Sequence, residues 1–149
     1  MRSSIRACIV LLLSVASAAT AFGDTNEPQR SFSTVRIEID SGPHQLSGWQ
    51  LRADFGKSGA RIVGIEGGDA VAFSAPPHYD PRALNAGEII LAALAASKDL
   101  PTGRTTVAVL HVEHYAPGLP PLELSEWIAI GPDGQPIEAS VVPQNGAER

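Results

Sequence analysis

Ser47-Gly48-Trp49-Gln50-Leu51-Arg52-Ala53-Asp54-Phe55 is the stretch that decides the fold. Trp49, Leu51, Ala53 and Phe55 fall on one parity, and Gly48, Gln50, Arg52 and Asp54 fall on the other. A period of two belongs to a β-strand with one face in a core and one in solvent, because successive side chains point to opposite sides. Aromatic residues at both ends suit the space between two packed sheets.

The same period appears on either side. In residues 34–40, Val35, Ile37 and Ile39 alternate with Arg36, Glu38 and Asp40 until Ser41-Gly42-Pro43 breaks the pattern. Residues 60–66 predict a third strand, closed by Gly67-Gly68. Residues 70–74 predict a short fourth, with Val71 and Phe73 on one face. Residues 88–96 are apolar on both parities and fit helix or strand by pattern alone. Their length and the flanking turn residues favour a buried strand. Residues 104–115, 119–130 and 136–142 predict the last strands, the final one after the Pro132-Asp133-Gly134 turn. The expectation is an all-β chain of about eight or nine strands, folded as a two-sheet antiparallel β-sandwich of jelly-roll type. Residues 75–87, with Pro76, Pro77 and Pro81, form the longest irregular segment, the kind of loop that often carries function.

The N-terminus predicts export. Arg2 and Arg6 precede an apolar run over residues 7–15, and small residues follow over 16–21. This is the three-part pattern of a signal peptide, with cleavage expected after Ala21 or after Ala18. The apolar run is about half the ~20 residues that a spanning helix needs, so no integral membrane span is expected once the leader is removed. The destination is periplasmic or extracellular. Residues 22–32 predict a flexible linker, residues 33–143 the sandwich and residues 144–149 a disordered tail. The single cysteine, Cys8, lies in the leader, so the exported part of about 128 residues has to fold without a disulfide. The chain carries 11 basic and 16 acidic residues, and loss of Arg2 and Arg6 makes the balance more acidic. That argues against nucleic acid and anionic lipid as partners, since both demand clustered Lys and Arg.

Three stretches resemble the cohesin domain family, within the carbohydrate-binding-module-like sandwiches. They are Leu46 to Phe55, Val107-Ala108-Val109-Leu110-His111-Val112-Glu113, and Gly131-Pro132-Asp133-Gly134-Gln135-Pro136-Ile137. The likeness spans about residues 33–142. It implies a non-enzymatic module that binds a protein partner, dockerin-like or another envelope protein, through one sheet face. Gln50 and Arg52 mark such a face here. A second reading is a carbohydrate-binding module that holds polysaccharide on exposed aromatics. Trp127 is the foremost candidate: if Leu124 sets the inner face, Leu122, Ile128 and Ile130 share it, and Trp127 points away, unless a bulge intervenes. Tyr79 and Tyr115 are the other aromatic candidates. A third reading is an envelope protein with no ligand of its own. With aromatics at 5 % of residues, a sugar platform is thinly supplied, which favours protein binding.

No catalytic residue, cofactor or metal is expected. His111 and His114 are three apart in a predicted strand, an odd offset that sends them to opposite faces. Asp99 and Asp133 are isolated, with no calcium-loop pattern. His78-Tyr79-Asp80 combines a base, a phenol and a carboxylate, but general acid–base work also needs a second positioned group and a pocket. No nucleophile elbow, P-loop or zinc-protease helix motif occurs.

Overall fold

A computed structural model describes residues 29–115 and 117–146. The leader and residues 22–28 of the expected linker lie outside the described residues, as do the last three residues of the expected tail. The chain is all-β, with seven strands: β1 (Ser31–Asp40), β2 (Gly48–Asp54), β3 (Arg61–Gly67), β4 (Glu88–Leu94), β5 (Arg104–His114), β6 (Glu123–Ile130) and β7 (Ser140–Asn145). They form two antiparallel sheets, ordered β3-β5-β1-β7 and β4-β2-β6. No helix among the described residues is long and apolar enough to cross a membrane.

The alternation read from the sequence builds the core. Val35, Ile37 and Ile39 of β1 are buried, with Leu110 and Val112 of β5 from the same sheet. Trp49, Leu51 and Ala53 of β2 and Ile89 and Leu91 of β4 come from the other sheet. Trp49 meets Phe73 edge-on, with ring centroids 6.5 Å apart, the arrangement the ring quadrupoles favour. Each such fully buried side chain contributes roughly 1.5–3 kcal/mol of transfer free energy, so this layer is the main favourable term in folding.

The strand count falls short of eight or nine for a local reason. Residues 70–74 do not form a strand. Val71–Phe73 is a single 3-10 turn, in which Phe73 is buried and Val71 faces solvent. Gly67 and Gly68 dictate this. A Cβ on Gly67 would lie 2.2 Å from the Ser74 carbonyl oxygen, and one on Gly68 1.9 Å from that of Thr106. The chain turns back on itself through this close approach, and Gly68 N–H donates to the Phe73 carbonyl.

Two boundaries also move. β1 begins at Ser31, inside the expected linker, where Ser31 and Phe32 register with His114 and Glu113. The last strand is Ser140–Asn145 rather than 136–142. Pro136 instead bridges to Ile130 of β6, and the chain then crosses to pair with β1 in the other sheet. Gln144 and Asn145 of the expected disordered tail sit opposite Arg36 and Val35, and Gly146 N–H donates to the Thr34 carbonyl.

The decisive irregularity lies in β6. Gln50 pairs with Ile128 and Arg52 with Ser125, so Glu126 and Trp127 together oppose the single residue Leu51. This is a β-bulge. Glu126 sits at φ 50°, in the left-handed region that a non-glycine residue occupies at a cost. The bulge inverts the parity of everything after it. Ile128 and Ile130 were expected on the inner face with Leu124. Instead they pair with the outward residues Gln50 and Gly48, and Ala129 takes the inward place opposite Trp49.

Candidate functional site

The outer face of the β4-β2-β6 sheet is built from three outward rows. β2 supplies Gly48, Gln50, Arg52 and Asp54, and β4 supplies Leu94, Ala92, Ile90 and Glu88 opposite them. β6 supplies Ile130, Ile128, Ser125 and Glu123. One end of this face is apolar. Leu94 is 74 % exposed and Ile128 44 %, while Ile90, 51 % exposed, stands further along the face opposite Arg52. Leu94 and Ile130 close over Gly48 from both sides, so that a Cβ on Gly48 would meet their methyl carbons at 3.0 Å. Between them lies a shallow depression of about 330 Å3, whose lining includes Gln50, Ala92, Leu94, Ile128 and Ile130, with His78 among the lining residues.

His78 reaches this depression because the long loop is stitched to the sheet. His78 and Ala92 exchange two backbone hydrogen bonds, of 2.7 and 3.0 Å, so the loop borders β4 at that point. Its neighbours are otherwise engaged. Tyr79 packs against the core. Asp80 accepts from the Arg82 backbone N–H at 3.0 Å and pairs with the Arg82 guanidinium. Those bonds hold the Asp80 carboxyl below the usual carboxylate range.

The other end of the face is charged. Arg52 lies 2.8 Å from Glu88, 3.2 Å from Glu126 and 3.8 Å from Asp54. It ties β2 to both neighbouring strands. Hydrogen bonds to Glu88, and then to Glu126, raise the guanidinium pKa still further above its ordinary value, so the charge is permanent. Glu123 lies opposite Asp54 on the same end. Three carboxylates thus contact one guanidinium and a fourth, Glu123, lies at the same end, a net of three negative charges among these five groups.

The outer face of the larger sheet is different in kind. Its charges are interleaved and paired: Arg36 with Asp69, Arg104 with Glu38 and Asp40, and Arg30 with Glu113. His111 Nε2 lies 3.0 Å from Glu66 Oε1 but off the hydrogen-bond direction. Such exposed pairs contribute little each.

The sequence-predicted residues distribute as follows. Gln50 and Arg52 share the small sheet's outer face. Trp127 stands in the bulge of β6 at 41 % exposure. Tyr115 follows β5, in the other sheet, where its hydroxyl donates to Glu113. Trp127 and Tyr115 therefore belong to different layers, Tyr79 packs on the core, and the three aromatics are not brought together. His111 and His114 face opposite ways as expected: His114 is buried, 2.9 Å from the Ser33 hydroxyl, while His111 looks outward. Sequence reasoning missed the apolar half of the site. The available signal was in β4, where Ile90 and Leu94 are large and apolar on the parity opposite Ile89 and Leu91.

Fold and site together define an all-β, two-sheet sandwich with one paired, polar outer face and one that runs from apolar to acidic. No family model, curated protein or solved structure matches the chain.

Proposed function

We propose that the protein is an exported, non-enzymatic binding module that attaches to a protein partner through the outer face of the β4-β2-β6 sheet. The observation that carries this reading is the apolar end of that face. Leu94 and Ile128 stand exposed together at a depression that Ile130 also lines, with Ile90 exposed further along β4, and such apolar side chains cost solvation unless something covers them. Apolar residues at the centre with polar groups at the margin are the usual anatomy of a protein-binding patch. Binding through a sheet face is also the mode implied by the cohesin resemblance, which rests on the three quoted stretches; a jelly-roll-like, cohesin-like arrangement is part of this proposal. The carbohydrate reading draws no support from the aromatics, which lie on separate parts of the fold.

The test is affinity capture from the exported fraction of the protein's own organism, with the wild type and a Leu94→Asp/Ile128→Asp variant side by side. The expected result is a specific protein held by the wild type and lost by the variant. Equal capture by both, or retention on insoluble polysaccharide that disappears in Trp127→Ala, overturns the reading.

A further inference from the structure

Two open sheets have four edge strands, here β3 and β7 in one sheet and β4 and β6 in the other. The outer edge of such a strand carries a row of N–H and C=O groups that a further strand can join. Three of these edges are covered by the chain's own backbone. Ile62 of β3 donates its N–H to the Ala86 carbonyl and accepts from Asn85 N–H, both at 2.8 Å. His78 pairs with Ala92 of β4. Both covers belong to the irregular segment 75–87, which therefore closes one edge of each sheet. Pro136 and Ile137 lie along the end of β6, and the bulge at Glu126 and Trp127 disrupts the rest of that edge.

The edge of β7 is different. Gly146 N–H donates to the Thr34 carbonyl, and the antiparallel ladder to β1 alternates from that bond. Gln144, Val142 and Ser140 thus turn their backbone groups toward β1, while Val141, Pro143 and Asn145 turn theirs outward. Among the described residues no strand or loop backbone pairs with that outer edge. The strand also lacks the charges that commonly protect an edge: Ser140-Val141-Val142-Pro143-Gln144-Asn145 is neutral and contains two adjacent β-branched residues. A short, uncharged, β-prone segment on an open edge is the pattern that associates strand to strand. One residue departs from it. Pro143 has no N–H, and it occupies an outward position.

We propose that the outer edge of β7 is a latent self-association surface, fitted to the β7 of a second copy, and that Pro143 keeps it closed. Antiparallel pairing about a two-fold axis sets the outward residues of one copy against the outward residues of the other. Pro143 then faces Pro143 of the second copy in one register, and Val141 or Asn145 in the neighbouring ones. In each of these registers both copies lack the donor at position 143, and the ring fills the space that the partner's carbonyl would approach. The gap falls in the middle of the strand, where fraying of the ends does not avoid it. This surface lies apart from the outer face of the β4-β2-β6 sheet, and its reading is independent of what that face binds.

Pro143→Val restores the donor and tests the proposal. The variant should fold, because position 143 takes no bond from β1, and a cooperative urea transition checks this. Pro143→Ala restores the same N–H without β-branching and serves as the second variant. Sedimentation velocity over a concentration series, with amide exchange of the 15N-labelled protein, compares each with the wild type. The wild type is expected to leave the Val141 and Asn145 amides unprotected at every concentration. The variants should dimerise at concentrations roughly ten- to hundredfold lower than the wild type, as one restored hydrogen bond in each copy can supply, with those two amides protected in the dimer. Pro143→Val/Val141→Pro, which moves the proline to a neighbouring outward position, should return to wild-type behaviour. Self-association no stronger in Pro143→Val and Pro143→Ala than in the wild type overturns the proposal. So does a dimer in which Val141 and Asn145 stay unprotected, or one that survives the relocated proline.

Discussion

Ile128 and Ala129 are adjacent, and the β6 bulge assigns them opposite fates. Ala129 is 1 % exposed and pairs with Trp49 in the core. An aspartate there is an unpaired carboxylate among apolar side chains, which costs several kcal/mol. That is comparable with the whole stability of a typical domain, about 5–15 kcal/mol. Ile128 is 44 % exposed and faces out beside Gln50. Aspartate at that position forfeits about half of a side-chain transfer term, or roughly 1–1.5 kcal/mol, plus a few tenths for lost strand propensity. Ile128→Asp is therefore expected to fold, with a urea midpoint lowered by roughly 0.4–1.8 M for an m-value of about 1–3 kcal/mol/M. Ala129→Asp is expected to lose its cooperative transition. Far-UV circular dichroism and tryptophan emission, to which buried Trp49 and exposed Trp127 both contribute, follow both variants. The reverse ranking, a stable Ala129→Asp beside an unfolded Ile128→Asp, would refute the bulge and with it the outward placement of Ile128 and Ile130.

Two further outcomes follow from local geometry. Gly68→Ala places a Cβ 1.9 Å from the Thr106 carbonyl oxygen, part of a central strand that cannot yield, so a loss of about 2–3 kcal/mol or more is expected by chemical denaturation. Gly42→Ala is a poor control because of its positive φ, whereas Gly64→Ala meets only His111 carbons at 3.4 Å and should cost much less. Hydrogen bonds from Arg36 and then Thr106 hold the Asp69 carboxyl below its ordinary value of 3.8. A depressed folded pKa adds stability that is fully present above the unfolded value and is lost as pH falls through the folded one. The drop should thus begin near pH 4 and continue below it. It should amount to less than about 1 kcal/mol, because the pair is solvent-screened, and it should vanish in Asp69→Asn. A stability profile over pH 2–5 measures it.

Where alternation ran undisturbed, sequence alone located the elements. β1 and β2 show the expected inward residues, and the odd offset of His111 and His114 separated them correctly. Gln50 and Arg52 were legible as a face for the same reason. What escaped was set by contacts between backbones, which leave no mark in hydrophobicity. The 3-10 turn at Val71–Phe73 follows from the approach of Gly67 and Gly68 to Ser74 and Thr106. The shift of the last strand follows from Pro136 bridging to β6 before the chain changes sheets. The inversion in β6 comes from one extra residue, and Glu126 does not announce a left-handed φ as a glycine would. The apolar half of the site was hidden by the same event, since Ile128 and Ile130 read as core until the bulge turned them outward.

That extra residue behaves as a phase switch. Removing one position at 126–127 leaves mean hydropathy almost unchanged, yet it rotates the second half of β6 so that the isoleucines enter the interior and Ala129 leaves it. The apolar exposure of this surface is therefore set by the count of residues along one strand as well as by their kind. Two chains of this fold with nearly the same composition can differ in which side chains they show to solvent, and a comparison by residue type alone would score them as equivalent.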